Sequence, residues 1–200
     1  MTEPDNELIR RFVKQQDSAA FEALVNRHLP KMRRYALVIT GSEADADDVV
    51  QEVLVTLFRK LSTFKGNSAF GTWLFQVVRN CGRDAIRRRK RLRDTDIDDY
   101  ADALSNGEPD PGDVLHQRAL SEAVYREISQ AKALDRQLFY LRETEELAFP
   151  EIARVTGLPE GTVKARLWRF KAKVQQKLRL ASEADSAYLS ERYQNKGGRL

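Results

Sequence analysis

The stretch beginning at Phe149 reads FPEIARVTGLPEGTVKARLWRFKAKVQQKL, and its residue types and spacing suit the recognition of a polyanion. Ile152, Ala153 and Val155 make a short amphipathic segment that ends at Gly157. The sequence Leu158-Pro159-Glu160-Gly161 then predicts a tight turn, and a second helix is expected from Thr162 onward. That second helix carries Lys164, Arg166, Arg169, Lys171 and Lys173, with Trp168 among the cations. Two short helices, a glycine-containing turn and a basic second helix describe a helix-turn-helix. Such a second helix can lie in the major groove of duplex DNA with its N-terminal side chains at base edges. The same pattern also occurs as plain structure with a solvated basic face, but here the cations concentrate on the second helix.

Three further patches lie in the first half of the chain. The first is Ala44-Asp45-Ala46-Asp47-Asp48 followed by Gln51 and Glu52. Carboxylates at a helix start complement its dipole; an acidic surface for a basic protein partner is the functional alternative. The second is Phe64-Lys65-Gly66-Asn67-Ser68-Ala69-Phe70 with Trp73 and Asn80. Aromatics, amides and a cation beside a glycine loop suit single-stranded nucleic acid, where bases stack and cations track phosphates. Phe70 and Trp73 can equally be core. The third patch, Arg83 to Arg93, is a dense cationic helix end suited to a phosphate backbone.

The elements that must position these residues are all helical by period. Leu8, Ile9, Phe12 and Val13 open the pattern. Asp17 is placed to cap a second helix with Phe21, Leu24 and Val25 inward. Pro30 suits the first turn of a third helix, Lys31 to Thr40, that Gly41 ends. Ser42 opens a helix whose stripe runs Val49, Val50, Val53, Leu54, Leu57, Phe58 and Leu61. After a break at 62–68, Phe70, Trp73, Leu74, Val77, Val78, Cys81, Ala85 and Ile86 mark another helix. Residues 94–113, DTDIDDYADALSNGEPDPGD, lose the pattern and read as a linker, with too little apolar surface to offset ordering entropy. Helical period resumes at Leu115, Leu120, Val124 and Ile128, then Leu134, Leu138, Phe139 and Leu141. The tail beyond Ala181 reads as polar and at most partly helical.

Charge follows this division. Residues 1–93 hold 18 Lys/Arg against 11 Asp/Glu, residues 94–113 none against eight, and residues 114–180 13 against eight. Two basic blocks flanking an acidic stretch suggest two polyanion-binding modules and a connector. One cysteine excludes an internal disulfide, and His28 and His116 are too far apart to begin a zinc set. No phosphate loop, nucleophile elbow or histidine-based catalytic grouping occurs, so neither an enzyme nor a cofactor or metal is expected. The start, MTEPDNELIRR, lacks a secretory apolar core, and no apolar run reaches a membrane span, so a soluble cytoplasmic protein is expected.

Together these segments resemble a known family. Asp47-Asp48-Val49-Val50-Gln51-Glu52-Val53, Phe64 to Phe70, Thr72-Trp73-Leu74 and Arg79-Asn80 resemble region two of bacterial sigma factors. Glu151-Ile152-Ala153 and Gly161-Thr162-Val163-Lys164-Ala165-Arg166-Leu167 resemble their region four. The small size and two-module layout match the extracytoplasmic-function (ECF) group.

The resemblance implies an all-α protein of two small helical domains. Residues 1–93 would be region two, 94–113 an acidic linker, 114–180 region four and 181–200 a tail. It implies a transcription initiation factor that brings core RNA polymerase to promoter DNA, binds it double-stranded and helps melt it. Asp47, Asp48, Gln51 and Glu52 would dock on the polymerase. Phe64, Lys65, Asn67, Trp73, Asn80, Arg83 and Arg87 would engage the minus-ten element. Thr162, Lys164, Arg166, Trp168, Arg169 and Lys171 would engage the minus-thirty-five element. The family further implies a stress or envelope response and an anti-sigma factor as partner. A stand-alone helix-turn-helix regulator is the alternative that the helix-turn-helix alone leaves open.

Overall fold

The computed structural model describes residues 3–93 and 127–196. All regular structure among them is helical. The expected linker at 94–113 and the helical positions Leu115, Leu120 and Val124 lie outside the described residues.

Helix α1 spans Asp5–Gln15 and buries Leu8, Ile9 and Phe12. Helix α2 spans Ser18–Thr40 and starts at Asp17, whose side chain accepts from the Ala20 amide at 3.2 Å. The sequence reading placed a separate helix after Pro30; instead α2 runs through it unbroken. A proline inside a helix leaves the carbonyl four residues earlier without its amide. Pro30 is solvent-exposed, so water can satisfy that carbonyl. Ala20 and Leu24 before it, and Met32, Tyr35, Ala36 and Ile39 after it, bury one continuous stripe that offsets the loss. Gly41 ends α2 with φ +73°, a left-handed conformation that favours glycine.

Ser42 caps α3, Glu43–Lys60, by accepting from the Asp45 amide at 3.3 Å. A 3-10 turn at Leu61–Thr63 and an irregular loop lead into α4, Phe70–Arg93. Two residues assigned inward by period are not buried: Phe58 is 60% exposed and Ile86 41%. Phe58 lies at the rim, where its ring meets Phe12 and Phe21, each at 5.6 Å between centroids. α2 and α4 approach closely where Gly82 faces Ile39; a Cβ there would come to 2.9 Å from Ile39 Cγ2.

In the second half, α5 spans Ala133–Glu143 and α6 spans Phe149–Thr156. Pro150 sits in the first turn of α6, where its missing amide costs nothing. Glu151 Oε2 accepts from the Ala148 amide at 2.9 Å and closes that turn. Gly157, φ +69°, ends α6. α7 then runs Glu160–Lys196, starting two residues before the expected Thr162. It also runs far past Ala181, where the sequence suggested a partly helical tail. The interior is continuous: Leu138, Leu141, Ile152, Val155, Val163 and Leu167 belong to the same apolar cluster as the residues of α1 to α4.

Candidate nucleic-acid interface

The loop before α4 depends on Gly66, whose φ of +72° other residues rarely adopt. The turn leaves Lys65 and Asn67 exposed. It also brings Phe64 against α4, with ring centroids 5.6 Å from Phe70 and 5.5 Å from Trp73. Phe70 is buried and stands 5.1 Å from the His28 ring, so it anchors the cluster. Phe64 and Trp73 are half-buried and present the remaining ring surface outward. Asn80, Arg83 and Arg87 follow Trp73 at intervals of seven, three and four, which places them on one stripe of α4, all exposed. Arg87 meets Asp84 at 3.6 Å. Asn80 lies about 10 Å along the axis from Trp73, room for a base between an aromatic platform and an amide. Of the seven expected minus-ten residues, four therefore share one stripe of α4, Phe64 packs beside its start, and Lys65 and Asn67 are exposed in the adjoining loop.

The acidic patch divides. Asp48, Gln51 and Glu52 line a groove between α3 and α4 whose far wall is Arg88, Arg89 and Leu92. Arg88 pairs with Glu52, and Arg89 with Asp45. Asp47 turns toward α2, where Arg33 Nε donates to it at 2.7 Å. The hydrogen bond to Asp47, then the nearby Asp47 and Glu43 charges, hold the Arg33 guanidinium above its ordinary pKa. Sequence reading missed Val55, 50% exposed one turn beyond Gln51. Its type signals core, and only the assembled bundle shows which face is left open.

In the helix-turn-helix, Val163, Leu167, Phe170 and Val174 bury one stripe of α7. Thr162, Lys164, Trp168 and Arg169 are exposed, Trp168 at 74%, so it is not a core residue. Lys164 pairs with Glu160 at 2.6 Å and stands 5.3 Å over the Phe149 ring. Arg166 and Lys171 lie on the flanks and are held by α5: Arg166 Nε donates to Asp135 at 2.9 Å, and Lys171 meets Glu143 at 2.8 Å. Lys132, Arg166, Arg169 and Lys173 surround a cleft between the start of α5 and α7. Four cations around one cleft suit a phosphate strand. The helix therefore offers an outward aromatic-cationic strip with cationic flanks.

Among the described residues no group of His, Cys, Asp or Glu is arranged to hold a metal ion. Among them also, no helix is long and apolar enough to cross a membrane. Cys81 is half-buried; burial pushes its thiol up from its ordinary pKa.

Known proteins resemble this chain in sequence and in fold. Residues 24–92 match the family described as Sigma-70 region 2, and residues 121–174 match Sigma-70, region 4. The ECF RNA polymerase sigma-E factor of Escherichia coli strain K12 is 31% identical over 181 residues, covering 87% of this chain and 94% of that protein. The structure of CnrH in complex with the cytosolic domain of CnrY superposes with a TM-score of 0.62 at 25% identity, covering 89% of this chain and 99% of that one. The sigma factor RpoE of Bartonella quintana, solved with the anti-sigma factor NepR, gives 0.66 at 22% identity, covering 80% and 96%. The chain belongs to the sigma-70 family of RNA polymerase sigma factors, in its extracytoplasmic-function group. It is a transcription initiation factor, and its partners are core polymerase and promoter DNA.

Proposed function

We propose that the α4 face captures a melted minus-ten base and that the outward strip of α7 reads the minus-thirty-five duplex. The observation that supports this most is the stripe of Trp73, Asn80, Arg83 and Arg87 on α4 beside Phe64, Lys65 and Asn67. A base leaves its stack only for a site that offers stacking and hydrogen bonds. Phe64 and Trp73 supply the stacking surface, Asn80 a donor and an acceptor, and Lys65, Arg83 and Arg87 meet phosphates. Thr162, Lys164, Trp168 and Arg169 face the major groove, while Arg166 and Lys171 contact the backbone from the flanks. Core polymerase docks on Asp48, Gln51 and Glu52, with Asp47 on the adjoining face. The chemistry is the polymerase's; this chain contributes binding and positioning and no catalytic group.

The response served is one of stress or envelope damage, in line with the sigma-E relative. An anti-sigma factor restrains the protein, as the NepR complex of the Bartonella relative illustrates for that protein. Footprinting tests the site assignment. With core polymerase present, single-stranded thymines should become permanganate-reactive at the minus-ten element, and Asn80→Ala should suppress this while upstream protection persists. Equal reactivity in the variant would remove Asn80 from the capture site.

A further inference from the structure

Where the end of α2 meets the last turns of α4 and the start of α5, the helices leave a cavity of about 410 Å³. Small side chains keep it open. Gly82, Ala85 and Arg89 follow one another at three and four residues, so they share a face of α4. Gly82 lets α4 approach Ile39 of α2. Ala85, three residues on, fills little of the space that follows, and Ala133 in the first turn of α5 adds as little. With Ile39 they give the cavity an apolar lining. Sites for small organic molecules have roughly this size, about 300–1,000 Å³, with apolar walls and a few polar groups.

The charged part of the lining is mainly cationic: Arg89, Lys90 and Arg136 against Asp45 alone. Asp45 is already matched by Arg89. Lys90 and Arg136 meet no carboxylate among the described residues. Arg136 Nη1 donates to the Ser129 carbonyl at 2.8 Å, while its Nε is enclosed without any partner. Burial, with nothing to offset it, holds this guanidinium below its ordinary pKa. An enclosed cation without a counter-charge is costly. Other half-buried arginines avoid that cost: Arg11, Arg27 and Arg166 each pair with an aspartate. The cleft between α5 and α7 also differs, since Arg166 and Lys173 there already hold Asp135 and Glu127.

Two unmatched cations call for a dianion. A phosphate offers two charges and several acceptors, which suit a guanidinium fork and an ammonium together. The promoter strand is not placed to supply it. Gly82, Ala85 and Arg89 each lie two residues beyond Asn80, Arg83 and Arg87, a rotation of roughly 200° about α4. The cavity therefore opens on the side of α4 away from the minus-ten stripe. It shares the Arg89–Asp45 wall with the groove between α3 and α4.

From these observations we propose that the cavity binds a small organic phosphate of about nucleotide size. Its phosphate meets Arg136 and Lys90, and its apolar or aromatic body lies on Ile39, Ala85 and Ala133. Such a site gives the chain a small-molecule input beside its protein and DNA partners. The proposal does not depend on how the promoter is read.

The test is titration calorimetry of the full chain with adenosine 5′-monophosphate, inorganic phosphate and adenosine. The nucleotide should bind once per chain. Phosphate and adenosine should each bind about tenfold or more weakly, since each lacks one half of the recognised group. Arg136→Gln should weaken the nucleotide by a similar factor. Should that substitution disturb folding, as read by circular dichroism, Ala85→Leu keeps all three cations and fills the cavity, and it should abolish binding. A single-stranded hexanucleotide should bind Ala85→Leu as it binds the parent. No binding of the nucleotide at millimolar concentration would overturn the proposal, as would an affinity that neither substitution changes. Inorganic phosphate bound as tightly as the nucleotide would make the occupant an adventitious ion only and overturn it too. So would loss of the hexanucleotide in Ala85→Leu, which would make the cavity part of the promoter interface. Each of these results leaves the sigma-factor function standing.

Discussion

Phe64 and Trp73 stand with ring centroids 5.5 Å apart, one from a glycine loop and one from α4, and each keeps part of its ring in solvent. A half-buried pair costs stability relative to full burial and is worth keeping only if something else covers it. Asn80, two turns along, completes the site. Asn80→Ala should slow open-complex formation about tenfold while leaving closed-complex affinity nearly unchanged. One lost hydrogen bond is worth about 1 kcal/mol or somewhat more. Stopped-flow fluorescence of a minus-ten probe would measure this, and equal losses in both steps would make Asn80 a duplex contact.

Asp48→Lys should weaken a pull-down of core polymerase without changing helical circular dichroism, because Asp48 is exposed and lines the α3–α4 groove. Asp47→Lys should matter less, since Asp47 is turned toward Arg33. The order of the two effects is the content of the prediction. The reverse order would move the docking face onto α2.

Residues of α7 should separate by position. Arg169 faces outward, and Arg169→Ala should cost about 1–3 kcal/mol of discrimination between matched and scrambled minus-thirty-five elements. Lys171 lies on a flank, paired with Glu143. Lys171→Ala should weaken all sequences alike and reduce the salt slope by about one unit. Arg166 starts tied to Asp135, so its contribution should grow when Asp135→Ala releases it. A salt series on the holoenzyme separates these behaviours; identical profiles for all three would make the helix structural.

Gly82→Ala should destabilise the protein even though alanine is the better helix former by about 1 kcal/mol. The added Cβ would stand 2.9 Å from Ile39 Cγ2, a branched side chain 2% exposed that has little room to turn. Overpacking of this kind costs about 1–3 kcal/mol. Urea denaturation should show a lowered midpoint, and an unchanged or raised midpoint would mean that Ile39 can move aside. Ser42→Ala, which removes the α3 cap, should lose about 1 kcal/mol by the same assay.

Much of the helical layout was legible because its punctuation is local. Asp17 and Ser42 cap, Gly41 and Gly157 end helices, and each acts through its own side chain or φ angle. Pro30 misled because the stripe on either side of it is buried against α3 and α4, and tertiary packing outweighs one missing backbone bond. Phe58 and Ile86 misled because period marks a face but not how far the neighbouring helices extend over it. That Trp73, Asn80, Arg83 and Arg87 share one stripe of α4 follows from their spacing, while the role proposed for them comes from the family resemblance. The pairing of Arg166 with Asp135, 31 residues away, and the contact between Thr72 and Glu151 could not be found in the sequence, since nothing local records which helices meet.

The most direct test is run-off transcription with purified core RNA polymerase over a library of random promoters. Transcripts should arise only when this chain and core are both present, from templates sharing two short elements about 25 base pairs apart between centres, about 85 Å of duplex. Asn80→Ala should reduce the yield, and Arg169→Ala should relax the upstream element alone. Sequence-specific DNA binding with no core-dependent transcript would contradict a sigma factor and support a stand-alone helix-turn-helix regulator.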